Sequence, residues 1–148
     1  MSDDERLTIG ELASRTGVAT SALRYWEEIG LLPAPARDSG QRRYPPTTVR
    51  LVGEILVLRD VGYTLRELTT FLDARSRSGA EWRELARRKI TELDERIAKA
   101  QAARTALVHG LACQHDNLLD CPNYNGIAAA RLAGAPLDEA HRHHHDTH

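Results

Sequence analysis

Two sets of side chains in this sequence have the types and spacing to do chemistry. The first is Cys113-x-His115-x5-Cys121, which holds both cysteines of the 148-residue chain. Two thiols and an imidazole at this spacing can share a thiophilic metal ion, or the thiols can form a reversible disulfide. A third reading makes the loop structural and the effector an organic molecule. Two thiolates alone suit linear Cu(I), whereas His115 as a third donor favours tetrahedral Zn(II) with a fourth ligand. Asp116 and Asp120 place negative charge beside the thiols. That should raise their pKa values and favour thiolate only when a cation is bound.

The second set lies in Thr20–Tyr44, TSALRYWEEIGLLPAPARDSGQRRY. Arg24 and Tyr25 stand on one short predicted helix, and Arg42, Arg43 and Tyr44 return after a turn at Gly40. Such clusters can grip a DNA duplex at two separated places. Net charge is −1, so bulk electrostatics do not support nucleic-acid binding. Up to Phe71 there are nine arginines against ten acidic residues. Local arrangement matters instead: from Arg37 to Arg50 there are four arginines and one acid, Asp38. Clustered arginine is the footprint of phosphate contact.

The elements that must position these groups are well punctuated. Thr8-Ile-Gly-Glu11 reads as a capping box that opens a helix ending at Gly17. A second helix covers about residues 20–29, with Gly30 as its left-handed cap. Ile9, Leu12, Ala13, Val18, Leu23 and Trp26 form the expected core of this helix–turn–helix. Pro33 and Pro35 exclude helix, and Asp38-Ser-Gly40 signals a hairpin. Leu31–Leu32 and Arg42–Tyr44 are the expected strands of that wing. Pro45-Pro46 opens an apolar helix that Gly62 ends, and Thr64-Leu-Arg-Glu67 caps the next. Ser78-Gly-Ala-Glu81 is a third capping box.

Nothing breaks the helical pattern from Gly79 to Ala112, a length of about 50 Å. Ala86, Ile90, Leu93, Ile97, Ala100, Leu107 and Leu111 alternate spacings of four and three, interrupted by Arg104. That is a heptad seam, and it needs a partner helix; a second copy of the chain is the expected one.

Composition agrees with a mainly all-α protein: 41% hydrophobic, 28% charged and 5% aromatic. No apolar run approaches the roughly 20 residues needed to span a bilayer. The acidic start lacks a signal core, so a cytoplasmic location without membrane association is expected. No phosphate loop or nucleophile–base pairing is visible, which argues against an enzyme.

The segments LTIGELASRTGVATSALRYWEEIGLL, SGQRRY and VGYTLREL resemble the MerR family of transcription regulators across about residues 7–70. The order of elements extends the resemblance to about Ala112. It implies a winged helix-turn-helix DNA-binding domain followed by a long antiparallel coiled-coil dimerisation helix. It implies a homodimer on double-stranded promoter DNA that bends and untwists an overlong spacer for RNA polymerase when its effector binds. Arg24 and Tyr25 match the recognition-helix contacts, and Arg42, Arg43 and Tyr44 the wing contacts to phosphate. Ser21, Arg37 and Arg15 are further DNA candidates. Arg24 can read guanine bidentately.

The loop also resembles redox regulators of the SoxR type, which hold a [2Fe–2S] cluster on four cysteines. Here glycine (Gly110) and histidine (His115) stand where two of those thiolates would be, which disfavours a cluster. The expected effector is a thiophilic metal ion, Zn(II) or Cu(I), bound by Cys113, His115 and Cys121. The alternatives are a thiol-redox regulator of the same fold, or a metal-buffering or thiol-redox coiled-coil protein. The expected organisation is a DNA-binding domain over 1–74, a dimerisation helix over 75–112, a sensing loop and short helix over 113–134, and a disordered His-rich tail over 135–148.

Overall fold

A computed structural model describes residues 6–145 of the protein, with side chains to Arg142. The chain divides into two compact units, Met1–Leu85 and Ala86–His148. In the first, α1 (Ile9–Thr16) and α2 (Thr20–Glu28) form the expected helix–turn–helix. The Thr8 hydroxyl accepts from the Glu11 amide while the Glu11 carboxylate accepts from the Thr8 amide, completing the capping box. Gly17 ends α1 at φ 73°, a left-handed conformation that costs glycine least. Leu12, Leu23 and Trp26 are buried, with Ile9, Ala13 and Val18 packed against them.

The wing pairs differently from expectation. Its strands are β1 (Ala36–Asp38) and β2 (Gln41–Arg43), with Arg37 opposite Arg42. Leu31 and Leu32 are core residues: both their amides donate to the Trp26 carbonyl, and both side chains are buried. These amides are spent on closing α2, so they cannot serve a strand ladder. The turn at Ser39 (φ 52°) and Gly40 (φ 82°) has positive φ at both central residues, which sets a two-residue hairpin and its register. Beyond β2, Tyr44 bridges to Leu7 through two backbone hydrogen bonds of 2.7 and 2.8 Å.

Helices α3 (Thr47–Val61) and α4 (Leu65–Arg77) complete this unit's core with Val52, Ile55, Leu58, Leu68 and Leu72. Thr64 and Glu67 make the second reciprocal capping box. The start of α5 (Gly79–Leu111) belongs to this unit as well. Trp82 meets Phe71 edge-on at 6.5 Å, Phe71 lies 5.4 Å from Tyr63, and the Tyr63 hydroxyl donates to the Leu85 carbonyl. At the third predicted box, the Ser78 hydroxyl accepts from the Glu81 amide. The helix begins at Gly79 because α4 continues to Arg77, later than the expected domain boundary at 75.

In the second unit α5 is unbroken to Leu111. Ile90, Ile97, Leu107 and Leu111 are 53–88% exposed in the single chain. Among the described residues no helix is long and apolar enough to cross a membrane. After a 3₁₀ turn at Leu118–Asp120 come α6 (Pro122–Leu132) and α7 (Leu137–His145). Here the disorder expected of the tail is corrected over Leu137–His145, which form α7. Gly134, at φ 99°, ends α6, and the Ala140 amide bonds the Pro136 carbonyl to open α7. Ala140 and His141 are buried, so α7 has an anchored inner face. Residues 1–5 and 146–148 of the expected first domain and tail lie outside the described residues.

Candidate functional site

The cysteine loop is assembled by local backbone chemistry. The last turn of α5 tightens through hydrogen bonds from the Ala112 amide to the His109 carbonyl and from the Cys113 amide to the Gly110 carbonyl. The Asn117 side chain then accepts from the Leu119 amide, and the Asn125 side chain donates to the Leu119 carbonyl at 2.7 Å. These bonds fold the segment back so that Cys121 becomes the N-cap of α6, with Pro122 at the first helical position. Proline fits there because its missing N–H would have no helical partner.

The fold-back brings the predicted triad together. One donor atom from each of Cys113, His115 and Cys121 lies within 4.8 Å of the others. Cys113 Sγ is 3.3 Å from His115 Nδ1. Both cysteines are free thiols; Cys121 is buried, Cys113 half-buried and His115 exposed. With metal–sulfur and metal–nitrogen bonds of about 2.3 and 2.05 Å, that separation corresponds to an angle of roughly 100° at a shared ion. The residues therefore fit a three-donor site with one open position.

The electrostatics differ from expectation at Cys121. Its pKa is lowered, first by the amide of Tyr124, against the opposing effect of burial, and further by the Cys113 side chain and the Asn123 amide. Asn123 and Tyr124 lie in the first turn of α6, whose N–H groups and dipole favour a thiolate. The expected upward push from Asp116 and Asp120 does not govern this thiol. A proline after the second cysteine, opening a helix, was the sequence signal for this effect.

One turn before Cys113, His109 meets His141 of α7. His109 Nδ1 and His141 Nε2 are 2.8 Å apart, with ring centres 4.6 Å apart and planes 13° from parallel. Nothing in the sequence spacing marks this contact, because 32 residues separate the two.

Arg15 of α1, Ser21, Arg24 and Tyr25 of α2 and Arg37 of the wing are exposed, and Arg43 of the wing is half-buried. Tyr44 corrects the expectation of a phosphate contact: it is fully buried. Side chains alternate along a strand, so Arg42 and Tyr44 share a face. That face turns to α2. The Arg42 Nε donates to Glu27 Oε2 at 2.8 Å, and the Tyr44 hydroxyl donates to the same oxygen at 3.1 Å. Glu27 is thus a positioning residue that sequence reasoning missed. Burial first, then this bond and the Glu27 charge, push the Tyr44 pKa up to about 12.

The chain can be set beside known proteins on this geometry. The family of MerR HTH family regulatory proteins matches residues 7–75, and the MerR DNA-binding family matches residues 49–110. The transcriptional regulator HmrR of Rhizobium leguminosarum bv. viciae is 31% identical over 120 residues, covering 78% of this chain and 93% of that protein. Heavy metal-dependent transcription regulator 2 of Rhizobium meliloti (strain 1021) is 32% identical, covering 82% and 86%. The crystal structure of the transcription regulator PbrR691 from Ralstonia metallidurans CH34, in complex with Lead(II), aligns with TM-score 0.67 and 25% identity over 80% of this chain and 97% of that one. Regulators of this family bind promoter DNA as dimers and act there with RNA polymerase. The chain belongs to the MerR family of helix–turn–helix transcription regulators.

Proposed function

We propose that this regulator responds to a thiophilic metal ion bound by Cys113, Cys121 and His115. The observation that carries the reading is the convergence of those three donors within 4.8 Å at the N-terminus of α6. An ion there would tie the end of α5 to the start of α6. Cu(I) would need only the two thiolates, whereas Zn(II) would recruit His115 and a fourth donor. The heavy-metal dependence in the name of the Rhizobium meliloti relative, and the lead bound to PbrR691, support a metal over an organic effector. The lowered Cys121 pKa supports a thiolate ready to ligate. The protein's role is regulatory and not enzymatic.

On the DNA side, Arg24 and Tyr25 of α2 would enter the major groove, with Ser21 on a nearby phosphate. Arg43 and Arg37 of the wing would meet the backbone, and Arg15 would add a flanking contact. Arg42 would contribute charge at the wing while its Nε stays with Glu27. Ala86, Ile90, Leu93, Ile97, Ala100, Leu107 and Leu111 would form the dimer seam. The exposure of its large residues in a single chain supports that assignment.

Metal analysis and thiol titration of anaerobically purified protein test the effector, followed by promoter footprinting with and without added Zn(II), Cu(I) and oxidant. Bound metal, two protected thiols and a metal-dependent footprint are expected. Two free thiols that close to a disulfide, with an oxidant-dependent footprint, would replace this reading with thiol-redox control.

A further inference from the structure

On the reading that Cys113, His115 and Cys121 bind a metal ion, we infer that the contact between His109 and His141 is a latch that keeps the two cysteines together. Both histidines are then positioning residues for the thiolate site, and α7 serves that site without supplying a ligand. Cys113 follows the end of α5, and Cys121 caps the start of α6. Ligands on two helix ends converge only while those ends stay close. The cysteine loop is one connection between them, and α7 is a second. α7 packs against α6, and the turn between them is braced. The Arg131 guanidinium donates to the Ala135 carbonyl at 2.8 Å, and the Ala135 amide donates to the Ala130 carbonyl at 3.0 Å. α7 then meets α5. His141 Nε2 lies 2.8 Å from His109 Nδ1, so one ring donates and the other accepts, and the rings stack with planes 13° apart. The path from α5 through the cysteine loop, α6 and α7 thus closes on α5 again, one turn before Cys113.

Burial follows the same closed path. Among the described residues after Leu111, the buried ones are Cys121, Ala140 and His141. One ligand thiol and two residues of α7 therefore make up the buried part of this segment. Opening the latch would bare His141, which is 8% exposed, and would free α6 to carry Cys121 away from the end of α5. With the latch closed, the loop is ordered before an ion arrives, and the ion does not have to order it. Preorganisation of this kind raises affinity without adding a contact to the ligand.

The test uses the full chain with His109→Ala, His141→Ala and both together. Two equilibrium constants are read. One is Cu(I) affinity against the competing chelator bathocuproine disulfonate. The other is the reaction of the metal-free protein with glutathione disulfide, which closes Cys113–Cys121 and releases two reduced glutathiones. Both need the two sulfurs together, and the second needs no metal. His109→Ala should lower each constant about three- to tenfold, the net worth of one hydrogen bond. The double variant should lose no more than the worse single one, because both act through one contact. His109→Gln, whose amide can bond His141, should recover most of the loss. Because His109 is exposed, circular dichroism of its variants should show helix content unchanged. A glutathione constant unchanged by His109→Ala, or losses that multiply in the double variant, would overturn the latch. If no variant and not the parent binds Cu(I) while the glutathione constant still falls, the latch stands and the metal reading fails.

Discussion

Replacing Glu27 with alanine tests the strut between the recognition helix and the wing. One carboxylate oxygen accepts from both the Arg42 Nε and the Tyr44 hydroxyl. The Arg42 and Glu27 side chains are 27% and 15% exposed. A charge-assisted bond in that partly screened setting contributes about 1 kcal/mol. The Tyr44 ring is fully buried, so losing its acceptor strands a hydroxyl at a cost of about 1–2 kcal/mol. The two bonds share an oxygen and do not add independently. Their joint loss should destabilise the protein by about 1.5–3 kcal/mol, the plain sum being the upper end. Urea denaturation at fixed protein concentration reads this directly, since dimerisation makes stability concentration-dependent. Glu27→Gln keeps an acceptor and should recover at least half of the loss. A Glu27→Ala variant within about 0.5 kcal/mol of the parent, the range of an ordinary surface change, would refute the strut. So would identical behaviour of the alanine and glutamine variants.

Tyr44 also gives a pH signature. Its folded pKa of about 12 lies above the ordinary 10.0, so the unfolded chain loses this proton first. Its contribution is fully present below pH 10 and is lost as pH rises towards 12; Tyr44→Phe should flatten that part of the stability profile. Arg24→Ala should weaken operator binding by about 1–3 kcal/mol in a gel-shift titration, and unchanged affinity would remove Arg24 from the interface. Ile97→Glu with Leu107→Glu places charge in the seam and should turn a dimer into a monomer by light scattering. A persistent dimer would mean that the seam lies on another face of α5.

Particular residues show where sequence reading succeeded. Thr8 with Glu11 and Thr64 with Glu67 were legible as capping boxes, because a cap involves atoms only three residues apart. Gly17, Gly30 and Gly62 were legible as helix ends, because left-handed backbone is a local demand that glycine meets. Ser39-Gly40 was legible as the hairpin turn. The strand at Leu31–Leu32 was misread, since apolar residues after a helix look the same whether they pair or sink into a core. Their amides bond Trp26, and residue type alone does not reveal that choice. The tail was misread for a similar reason: its histidines looked solvated, yet Ala140 and His141 are buried.

By itself the sequence determined the order of helices α1 to α5, the wing turn, the heptad spacing of α5 and membership of the MerR family. All of these rest on local backbone preference or on residue patterns. Tertiary structure alone decided which arginines face outward, that Tyr44 turns inward to Glu27, and that Cys121 sits on the first amides of α6. It also decided that Cys113, His115 and Cys121 converge and that His109 meets His141 across 32 residues. The Glu27–Tyr44 and His109–His141 contacts depend on the direction of side chains after distant segments have packed, and the cysteine triad on how its own loop folds back. A spacing pattern limits that direction, and only the folded chain selects it.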